Sequence, residues 1–229
     1  MQKKSIFYFP AIILLLSSFI YLNSQLQEEP EVIQRKGYTL KIINQDANFN
    51  PALKERMVET FFYIYPTLAK NFNRNSTNEV TFFIDTTYTG VAEAGGGRVR
   101  YNPKWFVRQP GDIDVVTHEV MHIVQNYPNG AGPWWVTEGI ADYVRYTFGV
   151  DNEGAGWTLT EFNNNQKYDN GYRITARFFV WIESKVKPGV VKALDHAMRT
   201  NTYTKDIWKE ETGKTVDELW EMYAQDPSI

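Results

Sequence analysis

One short motif, His-Glu-x-x-His at positions 118–122, uses residue types that could bind a metal ion and hydrolyse a bond. The chain contains only three histidines, and two of them lie in this motif. Residues four positions apart lie on the same face of a helix, so the imidazole rings of His118 and His122 can reach one ion. Zinc readily accepts imidazole nitrogen, and Glu119 between the two histidines is placed to act as a general base. The motif therefore predicts a zinc site, although an amphipathic helix with two incidental histidines would have the same spacing.

Two carboxylates a short distance downstream, Glu138 and Asp142, complete the candidate site. Catalytic zinc sites have three protein ligands and leave one position for water, so two histidines need a third partner. We predict that Glu138 is this third ligand. Asp142, one helical turn further on, is expected to accept a hydrogen bond from the distal N–H of a ligand histidine, which fixes its tautomer. The alternative is a surface helix with two solvated acids, but residues 134–144 are mostly apolar, and buried acids need partners.

The elements that would position these residues follow from the periodicity of the sequence. Segments 37–43 and 79–85 predict two strands, and a short third strand is predicted at 98–101 after a glycine-rich turn. Apolar residues at helical spacing predict a long helix from 51 to about 71. Further helices are predicted for the zinc motif and for residues 134–148, 172–187, 190–199 and 215–224. We therefore predict an α+β fold, in which a small N-terminal mixed sheet packs on helices and the C-terminal half is mostly helical.

Composition restricts the classes of function. The 229 residues are 43% hydrophobic and 22% charged, which is typical of a foldable globular protein. The net charge is −3 and there is no long basic run, so we predict neither nucleic acid nor an anionic surface as a partner. The chain has no cysteine, which excludes disulfides, a lipidated cysteine anchor and a thiol nucleophile. We expect a monomer that acts on a peptide or protein substrate.

The N-terminus reads as a targeting segment rather than as part of the fold. Two lysines precede an apolar run at 5–22, and Leu22-Asn23-Ser24 offers a plausible cleavage position. We predict that residues 1–24 are a signal peptide, that 25–36 is a polar spacer and that 37–229 is one domain. An uncleaved membrane anchor is the alternative, because the run approaches the roughly 20 residues that span a bilayer. Either interpretation predicts that the domain is secreted or extracytoplasmic.

The motifs together resemble those of known zinc peptidases. The two histidines and the downstream carboxylate pair match the gluzincin arrangement of thermolysin-like peptidases. More closely, segments 117–122, 135–145 and 171–178 are similar to the basic secretory protein family of metallopeptidases. The resemblance covers roughly residues 37–225, with no strong match in the C-terminal helices, and this chain is mildly acidic despite the name of the family. The resemblance implies a zincin-like fold and peptidase activity, without a defined substrate.

Peptide hydrolysis at this site would need one more group. Zinc lowers the pKa of its bound water, and Glu119 would take the proton as that water attacks a peptide carbonyl. The developing oxyanion needs a donor besides zinc, and a tyrosine is neutral at working pH with an O–H to donate. The resemblance favours Tyr172, which opens the similar segment 171–178, and Tyr168 and Tyr143 are alternatives. Each of these rings could instead be a core aromatic with a satisfied hydroxyl.

Three functions remain open at the level of sequence. The first is an exported zinc-dependent peptidase, specifically an endopeptidase, which is favoured because the base Glu119 accompanies the ligands. The second is a catalytically inactive zincin-fold module for binding or adhesion. The third is an aminopeptidase in which Glu93 binds the substrate amine. The segment 90–101 is expected to form either an edge strand that pairs with a substrate backbone or a plain hairpin turn.

Overall fold

A mixed β-sheet occupies the N-terminal half of the protein. The computed structural model describes residues 29–229, and within them five strands form one sheet in the order β1-β2-β3-β5-β4. The strands are Glu31–Arg35 (β1), Tyr38–Asn44 (β2), Glu79–Ile84 (β3), Ala92–Gly95 (β4) and Arg98–Tyr101 (β5). The central strands β2, β3 and β5 are parallel, whereas β1 and β4 at the two edges are antiparallel to their neighbours. The predicted mixed sheet is therefore present, with two more strands than the three that periodicity indicated.

The first strand corrects the predicted domain boundary. The sequence predicts a spacer at 25–36, but β1 pairs with β2 along its whole length. The two strands are joined through Lys36 and Gly37, whose φ angles of 49° and 85° suit a tight hairpin turn. An edge strand can be polar and exposed because backbone pairing holds it. The spacer prediction is wrong for residues 31–35, and the leader predicted at 1–24 lies outside the described residues.

Eight α-helices occur within the described residues. They are Pro51–Asn71 (α1), Pro103–Arg108 (α2), Val115–Gln125 (α3), Trp134–Phe148 (α4), Tyr172–Lys185 (α5), Val190–Arg199 (α6), Ile207–Thr212 (α7) and Val216–Gln225 (α8). Helices α1, α4 and α6 have the predicted bounds. The prediction missed α2 and α7, which have six residues each and are too short to show a full apolar period. No helix in the described part of the chain is long and apolar enough to cross a membrane.

Helix α1 packs its apolar face on the sheet. The ring centroids of Phe61 in α1 and Phe82 in β3 are 5.5 Å apart, and those of Phe82 and Tyr101 in β5 are 5.1 Å apart. In both pairs the ring planes meet edge to face, the arrangement that the aromatic quadrupole favours. Helix α1 also packs against α3, so the sheet and the histidine motif share one core. This architecture confirms the predicted α+β class.

Helices α3 and α4 hold the residues of the candidate site. Ten of the eleven residues of α3 are buried, so its polar side chains need partners inside the protein. Helix α3 ends at Asn126, whose φ of 42° is left-handed and turns the chain out of the helix. After a short loop, Pro133 precedes α4, which packs back against α3. This return brings Glu138 beside the histidine motif.

Candidate active site

A cleft of about 1140 Å³ lies between the edge of the sheet and helices α3 and α4. Its walls include β4, the histidine motif, the carboxylates of α4, the start of α5 and the loop at 155–157. The lining residues include His118, His122, Glu138, Glu119 and Tyr172. The structure thus brings the predicted ligands, the predicted base and the predicted tyrosine to one cavity.

Three potential ligand atoms converge in this cleft. The Nε2 atoms of His118 and His122 are 3.1 Å apart, and Oε2 of Glu138 lies 3.3 Å from the first and 3.5 Å from the second. Two atoms that each bind zinc at about 2.0–2.1 Å in tetrahedral geometry lie about 3.3–3.4 Å apart. The spacing of these side chains therefore fits zinc coordination. Within residues 29–229 they are the one such group of three potential metal ligands.

Asp142 supports His118 from the side away from this cluster. Its Oδ1 is 2.7 Å from Nδ1 of His118, and both side chains are buried. Burial lowers the pKa of His118, but hydrogen bonds with Asp142 and Glu138 outweigh this effect and raise the pKa to about 10. Because Nδ1 is engaged by Asp142, Nε2 is the atom that faces the cluster. This is the contact that the sequence predicted for Asp142.

Glu119 and Glu138, which both line the cleft, have pKa values shifted in opposite directions. Burial alone would raise the pKa of Glu138, but hydrogen bonds with His118 and His122 hold it well below its ordinary value. For Glu119 burial dominates and raises the pKa, against the opposing influence of the same histidines. Its buried Oε2 has no hydrogen-bond partner in the described part of the chain. Glu138 is thus held ionised, whereas one oxygen of Glu119 is available to accept a proton.

One polar side chain at the site was missed by the sequence analysis. Gln125 is 1% exposed, and its Oε1 lies 2.7 Å from Nδ1 of His122. Its amide nitrogen donates to the backbone carbonyl of Thr137 at 2.9 Å. The signal present in the sequence is its position three residues after His122, a helical spacing that brings two side chains together. Each histidine of the motif therefore has its own buried acceptor.

Tyr172 lies at the start of α5, against the ring of His118. The two ring centroids are 6.3 Å apart and the ring planes differ by 15°. Burial raises the pKa of Tyr172, as do the nearby carboxylates of Glu138 and Asp142, so its hydroxyl keeps its proton. The φ angle of Tyr172 is 47°, and that of Gly171 before it is 77°. Left-handed backbone at a residue with a side chain is strained, and such strain concentrates at functional sites.

The two alternative tyrosines lie elsewhere. The hydroxyl of Tyr168 donates to Asp217 at 2.9 Å, and its ring packs on Trp135. Tyr143 is partly buried against the hydrophobic core. Of the three candidates, only Tyr172 lines the cleft.

Strand β4 forms the edge of the sheet beside the cleft. The expected alternatives are both present, because a hairpin turn through Gly96 and Gly97 joins β4 to β5 and leaves β4 at the edge. Glu93 in β4 lies 3.2 Å from the guanidinium of Arg100, which also pairs with Asp85. This ion pair leaves Glu93 less available to a substrate amine than the aminopeptidase hypothesis requires.

A second polar cluster, the Asp112–Arg145 network, joins α4 to the loop before α3 and lines the same cleft. Arg145 in α4 forms an ion pair with Asp112, whose other oxygen accepts a hydrogen bond from Nε1 of Trp105 at 2.8 Å. The guanidinium also donates to Asn152 and lies 4.4 Å from the ring centroid of Trp157. Positive and negative charge are matched inside this network, so it is complete without a ligand.

The fold is zincin-like, as the sequence predicted. It is similar to the crystal structure of a mutant two-domain M1 zinc metallopeptidase bound to L-tryptophan, with a TM-score of 0.53 and 11% sequence identity. The similarity covers 87% of this chain and 51% of that one, so the chain spans about half the length of that protein. At this level of identity the similarity concerns the fold alone, and it agrees with the predicted zincin-like architecture.

The chain belongs to the BSP family, the peptidases of plants and bacteria, whose family model matches residues 36–223. This match confirms the resemblance drawn from the motifs. It also extends through most of α8, so the C-terminal helices, where the motifs gave no strong resemblance, are part of the family domain. No curated protein matches the chain.

Proposed function

We propose that the protein is an exported zinc-dependent peptidase that hydrolyses internal peptide bonds. The observation that carries this proposal is the convergence of three ligand atoms, 3.1 to 3.5 Å apart, beside a buried glutamate. One oxygen of this glutamate has no hydrogen-bond partner among residues 29–229. Membership of a peptidase family supports the class of reaction. The leader predicted at 1–24 supports export.

In this proposal His118, His122 and Glu138 hold the ion. When bound, zinc supplies a Lewis acid that activates water and polarises the peptide carbonyl. Three protein ligands leave one coordination position open for this chemistry. Asp142 and Gln125 engage the Nδ1 atoms of the two histidines, so both Nε2 lone pairs are directed at the ion.

Glu119 acts as the general base. Its Oε2, which has no partner in the part of the chain that the structure describes, accepts a proton from the attacking water, and it later returns that proton to the leaving amine. Burial raises the pKa of Glu119, which brings the carboxyl closer to the range in which it can both accept and release a proton near neutral pH. Its location in the cleft beside the ligands puts this exchange where the peptide carbonyl would bind.

Tyr172 donates a hydrogen bond to the oxyanion that develops on the attacked carbonyl. A neutral hydroxyl suits this role because it has a proton to donate, and the raised pKa of Tyr172 keeps that proton in place. The strained backbone at Gly171 and Tyr172 supports the assignment, since it holds the ring against His118.

An extended polypeptide is the substrate that suits the shape of the cleft. The outer edge of β4 offers backbone groups to which a peptide can add as a further strand. The cleft, at about 1140 Å³, is larger than the roughly 300–1,000 Å³ of sites for small ligands. Because Glu93 is already paired with Arg100, recognition of a free amino terminus is not favoured. These features support an endopeptidase over an aminopeptidase.

Metal analysis coupled to digestion of a mixed peptide library tests the proposal. We expect about one zinc ion per chain and cleavage at internal bonds, read out by mass spectrometry of the products. Removal of single N-terminal residues would replace the endopeptidase by the aminopeptidase hypothesis. Zinc binding without any cleavage would leave a zincin-fold binding module, and a protein that neither binds zinc nor cleaves would overturn the proposal.

A further inference from the structure

Gln125 connects the two helices that supply the metal ligands. It lies in the last turn of α3, and its amide oxygen contacts Nδ1 of His122 at 2.7 Å. Its amide nitrogen reaches across to α4 and donates to the carbonyl of Thr137 at 2.9 Å. Thr137 immediately precedes Glu138 in the chain. One buried amide therefore contacts both a histidine ligand and the backbone next to the carboxylate ligand.

The chemistry of the partners fixes which way this amide points. A backbone carbonyl can only accept a hydrogen bond, so the NH2 group of Gln125 must face Thr137. The carbonyl oxygen of the amide must then face His122. Because that oxygen can only accept, the ring atom opposite it, Nδ1 of His122, must carry the hydrogen. The lone pair of His122 is consequently on Nε2, directed at His118 and Glu138.

We propose that Gln125 is a positioning residue of the metal site, which selects the metal-binding tautomer of His122 and fixes the orientation of its ring. The bond to Thr137 prevents the amide from rotating and presenting its NH2 group to the histidine. Gln125 thus does for His122 what Asp142 does for His118, with a neutral acceptor in place of a carboxylate. The inference rests on the proposed function only in taking zinc as the ion.

The test compares zinc affinities of the purified full chain, measured by competition with a chromophoric chelator. Gln125→Met keeps the shape of the side chain but removes the acceptor, and we expect zinc binding to weaken about 10- to 100-fold. Gln125→Glu restores an acceptor for Nδ1–H, and its affinity should stay within about threefold of the wild type, as expected when a carboxylate takes the supporting role. This rescue would not occur if Gln125 served only to fill space.

Gln166 supplies a matched control. It is also a buried glutamine, 8% exposed, that bonds to backbone on both sides of its amide, through the carbonyl of Glu161 and the N–H of Asn163. It does not line the cleft. Gln166→Met should destabilise the fold about as much as Gln125→Met does, but its zinc affinity should equal that of the wild type. Equal zinc affinity in Gln125→Met and the wild type, or equal loss in Gln125→Met and Gln125→Glu, would overturn the proposal.

A measurement on the unmutated protein covers the case in which Gln125→Met fails to fold. Nitrogen-15 NMR of the histidine rings in the zinc-loaded protein should show a hydrogen on Nδ1 of His122 and none on Nε2. A hydrogen on Nε2 would overturn the proposal. All of these readouts are made without substrate, so a protein that binds zinc as expected but cleaves no peptide would refute the proposed function and leave this inference standing.

Discussion

Two polar clusters line the same cleft, and they differ in how their charges are balanced. In the Asp112–Arg145 network, one guanidinium meets one carboxylate, and the remaining donors and acceptors are met by neutral side chains. In the proposed metal cluster, which consists of His118, His122 and Glu138, two imidazole nitrogens and a carboxylate oxygen face one another at 3.1 to 3.5 Å. A proton held on His118, whose pKa is raised to about 10, can balance this group, and a zinc ion would take its place.

The difference is the one expected between a polar network that only stabilises the fold and one that binds a metal ion. Both clusters combine buried with partly buried side chains and both contain acids and bases, so burial and charge alone do not distinguish them. The distinction lies in how the polar atoms are arranged. In the Asp112–Arg145 network donors face acceptors, whereas in the cluster of His118, His122 and Glu138 the potential ligand atoms face a common centre. Convergent acceptors are costly to bury without a cation. They are therefore the better guide to a metal site.

Breaking the metal cluster should have the largest effect. Glu138→Ala removes one of the three ligand atoms, so zinc binding should weaken by more than the roughly 10- to 100-fold expected for a supporting residue, and cleavage should be abolished. Zinc content after dialysis and peptide cleavage measure the two effects. The control is Glu93→Ala, which removes a carboxylate of the same cleft outside the cluster and should retain zinc. Full zinc content in Glu138→Ala would remove Glu138 from the ligand set.

A substitution beside the metal cluster should lower turnover without loss of metal. Tyr172→Phe removes the hydroxyl proposed to stabilise the oxyanion, and kcat should fall about 100-fold with KM and zinc content little changed. Tyr168→Phe is the matched control, since its hydroxyl bonds to Asp217 away from the cleft and kcat should be unaffected. An unchanged kcat in Tyr172→Phe would assign the oxyanion donor to another group.

Breaking the charge-balanced network should change stability and leave the chemistry intact. Arg145→Met leaves the carboxylate of Asp112 buried without its cation, which should lower the free energy of unfolding by about 3–5 kcal/mol. Adding Asp112→Asn removes the orphaned charge but keeps an acceptor for Trp105, so part of the stability should return. Denaturant unfolding measures both variants. Loss of zinc from the folded Arg145→Met protein would show that the two clusters are not independent.

The parts of the site that local spacing determines could be predicted from the sequence. His118 and His122 are related by helical spacing, which is local, and Glu138 follows within one short loop, so their proximity could be predicted. The bond between Gln125 and Thr137 depends on how α4 packs against α3, which spacing along one helix does not specify. Strand β1 was mistaken for a spacer because an edge strand needs no apolar alternation when backbone pairing holds it. The prediction failed for Gln125 and β1 because their contacts depend on helix packing and strand pairing that the local sequence pattern does not specify.

The most direct test of the central claim compares the wild type with Glu119→Gln, a substitution that keeps the size of the side chain but removes its ability to accept a proton. Zinc content and cleavage of one peptide are measured on the same samples. The account predicts that Glu119→Gln retains the zinc content of the wild type, while the rate of hydrolysis falls by at least the roughly 10²–10⁴-fold that a general base contributes. Equal rates of cleavage by the two proteins would contradict it.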